Sequence, residues 1–92
     1  MRFIYPAIIK EKEDGTFEAR FPDLAMCEAA GETMMEVVRN ATAAAHDWIE
    51  LEMSEEEPDF PPATDAEDLV LGDKETLTDI LVIYRMHEGW DE

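Results

Sequence analysis

One long amphipathic segment places the strongest constraint on how the 92-residue sequence can fold. It begins with Thr33 and Glu36, a Thr-x-x-Glu pattern in which each side chain can cap the other residue's backbone amide. Apolar residues then recur with a period near 3.6, at positions 34, 37, 38, 41, 44, 45, 48 and 51. We therefore predict a helix from about Thr33 to about Met53. A lone helix can bury its apolar stripe only against another layer, so the rest of the chain must supply a sheet.

The residues before this helix carry strand signals. Residues 3–9 are rich in β-forming side chains, but Pro6 has no amide donor. We therefore expect either an edge strand or a strand that begins after Pro6. Asp14-Gly15 predicts a hairpin turn, and residues 16–21 alternate between apolar and polar side chains as a half-buried strand does.

The remaining segments complete an α+β domain that spans residues 1–92. Residues 24–30 are compatible with a short third strand, and about 80–86 form an apolar run typical of a strand buried on both faces. Between the helix and that run lies an acidic loop, 54–78, in which residues 69–71 are compatible with a short strand or an anchor. The predicted order is β-β-β-α-β, a small antiparallel or mixed sheet with one long helix on one face.

The charge of the chain excludes several classes of partner. Asp and Glu number 24 against 7 Lys and Arg, which gives a formal net charge of −17. Such a surface repels nucleic-acid backbones and anionic membranes, so we expect neither as a partner and predict a basic protein instead. The N-terminus lacks the long apolar run of a signal peptide or membrane span. The lone Cys27 suits a reducing compartment, and we expect a cytoplasmic protein.

A series of short motifs follows the predicted elements: Tyr5-Pro6-Ala7, Asp14-Gly15 with Phe17, Phe21-Pro22-Asp23-Leu24, Cys27, Gly31-Glu32-Thr33 with Glu36, and Pro61-Pro62. In this order and at these intervals they resemble the HicB-like antitoxin domain of type II toxin–antitoxin systems, most closely over residues 1–64. The resemblance implies a truncated, RNase H-like fold. Family antitoxins often have Pro-Gly where this chain has Ala25-Met26. They usually continue into a DNA-binding module, and since this sequence stops at Glu92 we do not expect that module.

The resemblance also implies a function, which is to bind and occlude a small, basic HicA-type mRNA interferase. The alternative is a stand-alone HicB-like interaction or oligomerisation domain that has no toxin partner. An RNase H-like fold also suggests a nuclease, but that chemistry needs carboxylates converging on two metal ions, and a negative surface repels RNA. We predict no enzymatic activity, no cofactor and no metal.

Carboxylates are the natural candidates for binding a basic partner. Residues 40–73 hold eleven acidic residues and no Lys or Arg, which predicts electrostatic steering. The alternative is a solvated loop that serves solubility alone. The predicted partner-binding residues are Asp23, Glu28, Glu32, Glu55, Glu56, Glu57 and Asp59. For Asp23 we favour a structural role in the turn after Pro22.

A second apolar strip on the helix suggests self-association. Met34 and Trp48 fall on the predicted core stripe, whereas Met35, Ile49 and Met53 fall on another side. We therefore predict a homodimer or a higher homo-oligomer that uses this second strip. A zinc site formed by Cys27, His46 and His87 is not predicted, because their spacing matches no zinc motif. We expect Cys27 to be buried and His46 to lie at the surface.

Overall fold

The computed structural model describes residues 2–84, which form one four-stranded sheet and one long helix. The elements are β1 (Arg2–Glu11), β2 (Phe17–Arg20), β3 (Glu28–Gly31), α1 (Met34–Met53), a 3-10 turn (Ala66–Asp68) and β4 (Glu75–Ile83). The strand order is β3-β2-β1-β4, and every pairing is antiparallel. The α+β class, the order β-β-β-α-β and the single helix are therefore confirmed. No described helix is both long and apolar enough to cross a membrane.

Helix α1 buries a stripe of residues spaced four apart. The stripe consists of Val37, Ala41, Ala45 and Ile49, all of them fully buried. They pack against one face of the sheet and the turn that follows β2, where the buried residues are Tyr5, Ala7, Ile9, Ala19, Phe21, Leu24, Cys27, Ile80 and Val82. Because two of the four helical residues are alanines, the helix axis can approach the sheet closely. Met34 and Leu51, which the periodicity assigned to this stripe, are exposed.

The start of α1 is capped almost as the sequence predicted. The Thr33 hydroxyl accepts a hydrogen bond from the Glu36 amide at 3.0 Å. The Glu36 carboxylate, however, accepts from the Glu32 amide at 2.7 Å, one residue before the expected partner. The first bond satisfies an amide that a helix start leaves without an intrahelical acceptor, and the second satisfies the amide just before the N-cap.

The second apolar strip predicted on α1 is not present. Met35 is 75% exposed, but Ile49 is fully buried and Met53 packs against the core. Phe60 also packs against the core, and the Asp59 amide before it donates to Glu52 in the last turns of α1. The assignment of Ile49 and Met53 to an exposed strip is therefore wrong, whereas a role of Met35 in an oligomer surface stays a prediction.

Pro6 lies within a strand that is central in the sheet, and not in an edge strand as expected. The neighbouring β4 pairs with residues 2–10, whereas β2 pairs only with Ile8–Glu11. The Glu11 amide donates to the Lys74 carbonyl. Since alternate residues of an antiparallel strand bond to the same neighbour, odd-numbered β1 residues bond to β4. The amides and carbonyls of even-numbered β1 residues point away from β4. The missing amide of Pro6 therefore faces the side beyond the end of β2, where no ladder bond is lost.

Strand β4 differs from its prediction in position and in burial. It starts at Glu75, which shortens the preceding loop, and residues 85 and 86 lie outside the described part of the chain. Ile80 and Val82 are buried, but Leu81 and Ile83 on the opposite face are 47% and 46% exposed. The strand is thus buried on one face only, because the single helix covers one side of the sheet. Residues 69–71 form no strand, and Val70 does not act as an anchor, since it is exposed.

Candidate protein-binding surface

Four exposed carboxylates follow the C-terminal end of α1. They are Glu55, Glu56, Glu57 and Asp59, here named the acidic ridge. The last turn of α1 holds no basic residue. Because the C-terminal end of a helix carries a partial negative charge, acidic groups next to it are unfavourable for helix stability. Helix stability therefore does not explain the position of the acidic ridge.

Cations within the described chain lie away from the acidic ridge in sequence. Between Asn40 and Asp73 there is no Lys or Arg. Two of the sheet cations are already paired, Lys12 with Glu18 at 3.4 Å and Arg20 with Glu75 at 3.1 Å. In the described part of the chain, no ion pair to Lys or Arg involves an acidic-ridge residue. The ridge therefore presents uncompensated negative charge to solvent.

The segment after the acidic ridge is tethered to the core. The Phe60 ring packs on Phe3 with a centroid distance of 4.8 Å. The Tyr5 hydroxyl donates to the Pro61 carbonyl at 2.6 Å. At the start of the tether, the Asp59 amide donates to the Glu52 carboxylate at 2.8 Å. Since α1 fixes one end and these contacts fix the other, the acidic ridge is held as a short arch with little conformational freedom.

Asp23 takes part in this tether from the other side. Its carboxylate accepts hydrogen bonds from both the amide of Thr64, at 2.9 Å, and the Thr64 hydroxyl. The favoured structural role of Asp23 is therefore present, although the carboxylate holds a distant loop and not its own turn. These two hydrogen bonds engage both oxygens of Asp23 and use about half of the roughly four acceptor sites of its carboxylate.

The other two predicted carboxylates are distant from the acidic ridge. Glu28 lies on β3 and Glu32 precedes the first turn of α1, and both are exposed. The ridge follows the last turn of the same helix, whose 20 residues span about 30 Å at 1.5 Å per residue. The four ridge residues are neighbours along the chain, whereas Glu32 lies at the other end of α1 and Glu28 lies on β3 beside Cys27.

Comparison with known proteins identifies the family. A family model described as HicB-like antitoxin of bacterial toxin-antitoxin system matches residues 5–84. The chain belongs to this family. The resemblance inferred from the motifs is thereby confirmed, and it extends beyond residue 64 into β4. No curated protein matches the sequence of this HicB-like antitoxin.

Two solved structures resemble the antitoxin. One is a chain of a structure titled "HicA3 and HicB3 toxin-antitoxin complex", 30% identical, with a TM-score of 0.63 over 88% of this chain and 96% of that chain. The other, titled "Toxin-Antitoxin complex from Streptococcus pneumoniae", is 23% identical, with a TM-score of 0.68 over 90% of this chain and 70% of that chain. The second likeness supports the fold alone.

Cys27 of the antitoxin is buried, as the sequence predicted. Its pKa is raised above the ordinary thiol value, first because burial removes solvent from the thiolate and then because Asp47 and Glu28 repel negative charge. Among the described residues, one group has metal-ligand geometry, namely His46, Asp47 and Glu50 with ligand atoms within 4.8 Å of one another. Cys27 does not belong to that group, and His87 lies outside the described residues.

We expect the Cys27 thiol to react slowly with a disulfide reagent in the native protein near pH 8. The thiolate is the reactive form, and a raised pKa together with burial depletes and shields it. The stability that this raised pKa represents is present below the ordinary thiol pKa and is lost as pH rises through the folded value. Reaction rates measured with and without denaturant test this, and Asp47→Asn should speed the native reaction. Equal native and denatured rates would contradict it.

No local pattern in the sequence indicates the contacts that tether residues 60–64 to the core. Tyr5 and Pro61 are 56 positions apart, and Asp23 and Thr64 are 41 apart. Phe21-Pro22-Asp23-Leu24 and Pro61-Pro62 were recognised only as parts of the family pattern. The hydrogen bonds from Thr64 to Asp23 and from Tyr5 to Pro61 give these motifs a physical reason, since they join the turn after β2 and strand β1 to the same loop.

Proposed function

We propose that this HicB-like antitoxin binds a small, basic HicA-type mRNA interferase in the cytoplasm and prevents RNA from reaching it. The observation that carries the proposal is the acidic ridge, which is fixed at both ends and forms no ion pair with a Lys or Arg within residues 2–84. The neighbour with 30% identity comes from a structure whose title names HicA3 together with HicB3. That title supports a HicA-type protein as the class of partner here.

The mechanism is competition for a cationic surface. A protein that cleaves RNA must hold phosphate groups with Lys and Arg side chains. Carboxylates that contact the same Lys and Arg side chains neutralise the positive charge and exclude the RNA backbone. With a net charge of −17, the antitoxin also attracts a basic partner over distances of about one Debye length, roughly 8 Å at physiological salt. Inhibition then requires no bond-making chemistry.

The arrangement of the described carboxylates favours binding over catalysis. Two-metal nucleases hold two cations about 4 Å apart between several converging acidic side chains. In the described chain, one group of side chains could ligate a metal ion, and it has one histidine and two acids on the exposed side of α1. The negative charge of the surrounding surface repels RNA. We therefore propose a non-catalytic protein.

The decisive experiment tests whether a small basic protein is encoded beside the gene of this antitoxin and mixes the two purified proteins. We expect the two proteins to copurify, the mixture to lose ribonuclease activity at equimolar ratio, and the affinity to fall by at least tenfold as salt rises from below to above the physiological range. As a control for unfolding, the same binding titration is repeated at constant ionic strength and several pH values. Absence of binding would favour the stand-alone domain, and binding that ignores salt would contradict electrostatic occlusion.

A further inference from the structure

Met26 is the most exposed large apolar side chain in residues 2–84, with a relative exposure of 95%. Its backbone has a positive φ of 62°. The Cys27 amide donates to the Leu24 carbonyl at 3.1 Å, so Met26 is the third residue of a β-turn. Because Ala25 before it has no positive φ, the turn is of type II, which favours Gly or Asn at this position. A methionine here crowds the backbone and gains nothing from burial.

One other residue of the described chain, glycine aside, has a positive φ, namely Lys74 at 64°. Its charged side chain is exposed and readily solvated. Met26 instead combines the same backbone strain with an apolar side chain in water. Strained residues of this kind are concentrated at binding and catalytic sites, and the flexible, polarisable methionine side chain is common at protein-binding surfaces. The two properties together indicate that Met26 contacts a partner.

The residues on either side of Met26 hold the turn in place. Leu24 and Cys27 are buried in the core. The Trp48 indole donates to the Ala25 carbonyl at 3.1 Å, which joins the turn to α1. Met26 is therefore presented on a backbone that is fixed from two sides, so a partner that binds it has little conformational entropy to remove.

The charges around this turn indicate the chemistry of the partner. Burial first, and then repulsion by Asp47 and Glu28, raises the pKa of Cys27, so both exposed carboxylates act on the turn. Neither forms an ion pair with Lys or Arg within residues 2–84. Arg20 lies opposite Glu28 in the sheet, but its guanidinium is paired with Glu75. An apolar side chain with a negative surround complements an apolar pocket bordered by Lys and Arg.

The acidic ridge lies at the same end of the molecule as this turn. Trp48, which holds the turn, precedes the end of α1 at Met53 by about 8 Å at 1.5 Å per residue, and the ridge follows directly. From within the turn region, the Asp23 carboxylate accepts from the Thr64 amide, just beyond the ridge. One basic partner can therefore contact the acidic ridge and Met26 together.

We propose that Met26 is the apolar anchor with which this antitoxin binds its toxin, by inserting into an apolar pocket that Lys and Arg side chains of the toxin border. The inference rests on the proposed function and names the residue that provides short-range affinity, whereas the acidic ridge acts at long range. An apolar anchor that is buried in the complex slows dissociation. Long-range charge instead sets the association rate and is screened by salt.

The test compares Met26→Gly with Lys74→Gly in binding to the same purified toxin and in thermal denaturation. Both substitutions relieve a positive φ at an exposed position, so both should raise Tm by a few degrees. Met26→Gly should nevertheless weaken binding at least tenfold, mainly through faster dissociation, and the loss should persist at high salt. Lys74→Gly should bind at least as well as the parent, since Lys74 lies beside the β1–β2 hairpin, at the opposite end of β2.

Met26→Leu controls for the greater flexibility of glycine. It keeps an apolar side chain of similar volume and the strained backbone, so Tm should stay near that of the parent, and it should bind more tightly than Met26→Gly. If the parent binds the toxin and Met26→Gly binds equally well, the role of Met26 is overturned while the proposed function stands. If the parent itself binds no toxin, the proposed function is overturned and this inference with it.

Discussion

Replacing Glu55, Glu56 and Glu57 together with glutamine is expected to weaken binding of a HicA-type toxin by roughly 10- to 100-fold. The three side chains are exposed, adjacent and without cationic partners in the described chain. Glutamine keeps their size and polarity but removes the charge that would meet the toxin's Lys and Arg. The loss should fall mainly on the association rate and should shrink at high salt, because long-range attraction sets that rate.

A matched control separates local from global charge. Changing Glu11 and Glu13 to glutamine and Asp73 to asparagine removes the same number of negative charges. These residues are exposed and lie near the C-terminal end of β1. We expect this control to bind nearly as well as the unmodified protein. The ridge variant should also melt no lower than the parent, since it removes acids from an unfavourable position at the helix end. Equal losses of affinity in both triple variants would show that net charge, and not the acidic ridge, determines binding.

Local elements of this fold could be predicted because their causes are local. Asp14-Gly15 forms its turn because Gly15 adopts a positive φ of 89° and the Asp14 carboxylate accepts from the Thr16 amide. Helix α1 begins where Thr33 caps it and runs to the predicted end at Met53. Each of these features depends on residues within about four positions of one another, which is the range that sequence patterns report.

Features that depend on distant neighbours were predicted poorly. Pro6 is tolerated in a central strand because β2 is short, and the length of β2 is not encoded near Pro6. Ile49 is buried in the core, and Met53 and Phe60 both pack against it, a grouping that the helical period alone does not predict. The apolar run in β4 predicts a strand but not how many of its faces are buried, since burial depends on how many layers cover the sheet.

The same distinction applies to the candidate binding surface. Composition alone indicated an acidic surface and a basic partner, and the chain supplies eleven acids between residues 40 and 73 to choose from. Which carboxylates are free depends on tertiary contacts. Asp23 is occupied by Thr64, and Glu75, whose pKa is lowered by the Gly72 amide and by Arg20, is occupied as well. The acidic ridge is one of the groups that remain exposed and without an ion pair, and Asp65, Glu67, Asp68 and Asp73 are exposed as well.

We expect Gly31→Ala to destabilise the antitoxin more than the same substitution at Gly15 or Gly72. A Cβ at this position would lie 2.5 Å from the Val37 amide nitrogen, 2.8 Å from the Val37 Cα and 2.9 Å from the Glu36 carbonyl carbon. All three atoms belong to the helix backbone, so no side-chain rotation relieves the clash. Because Val37 is fully buried, α1 could move away only by opening the core. We expect a loss of about 2–3 kcal/mol, or roughly 10–20 °C in Tm for a domain of this size.

Gly72→Ala is the matched control for this effect. There the nearest atom to a new Cβ is a Glu75 carboxylate oxygen at 3.3 Å, at the end of a flexible side chain. We expect a change in Tm of no more than a few degrees, measured by thermal denaturation under the same conditions. Similar melting temperatures for the two variants would mean that α1 does not pack on β3 as closely as the structure shows. The expected result instead explains the Gly31-Glu32-Thr33 motif, since Gly31 permits the close approach that Thr33 and Glu36 then secure by capping the helix start.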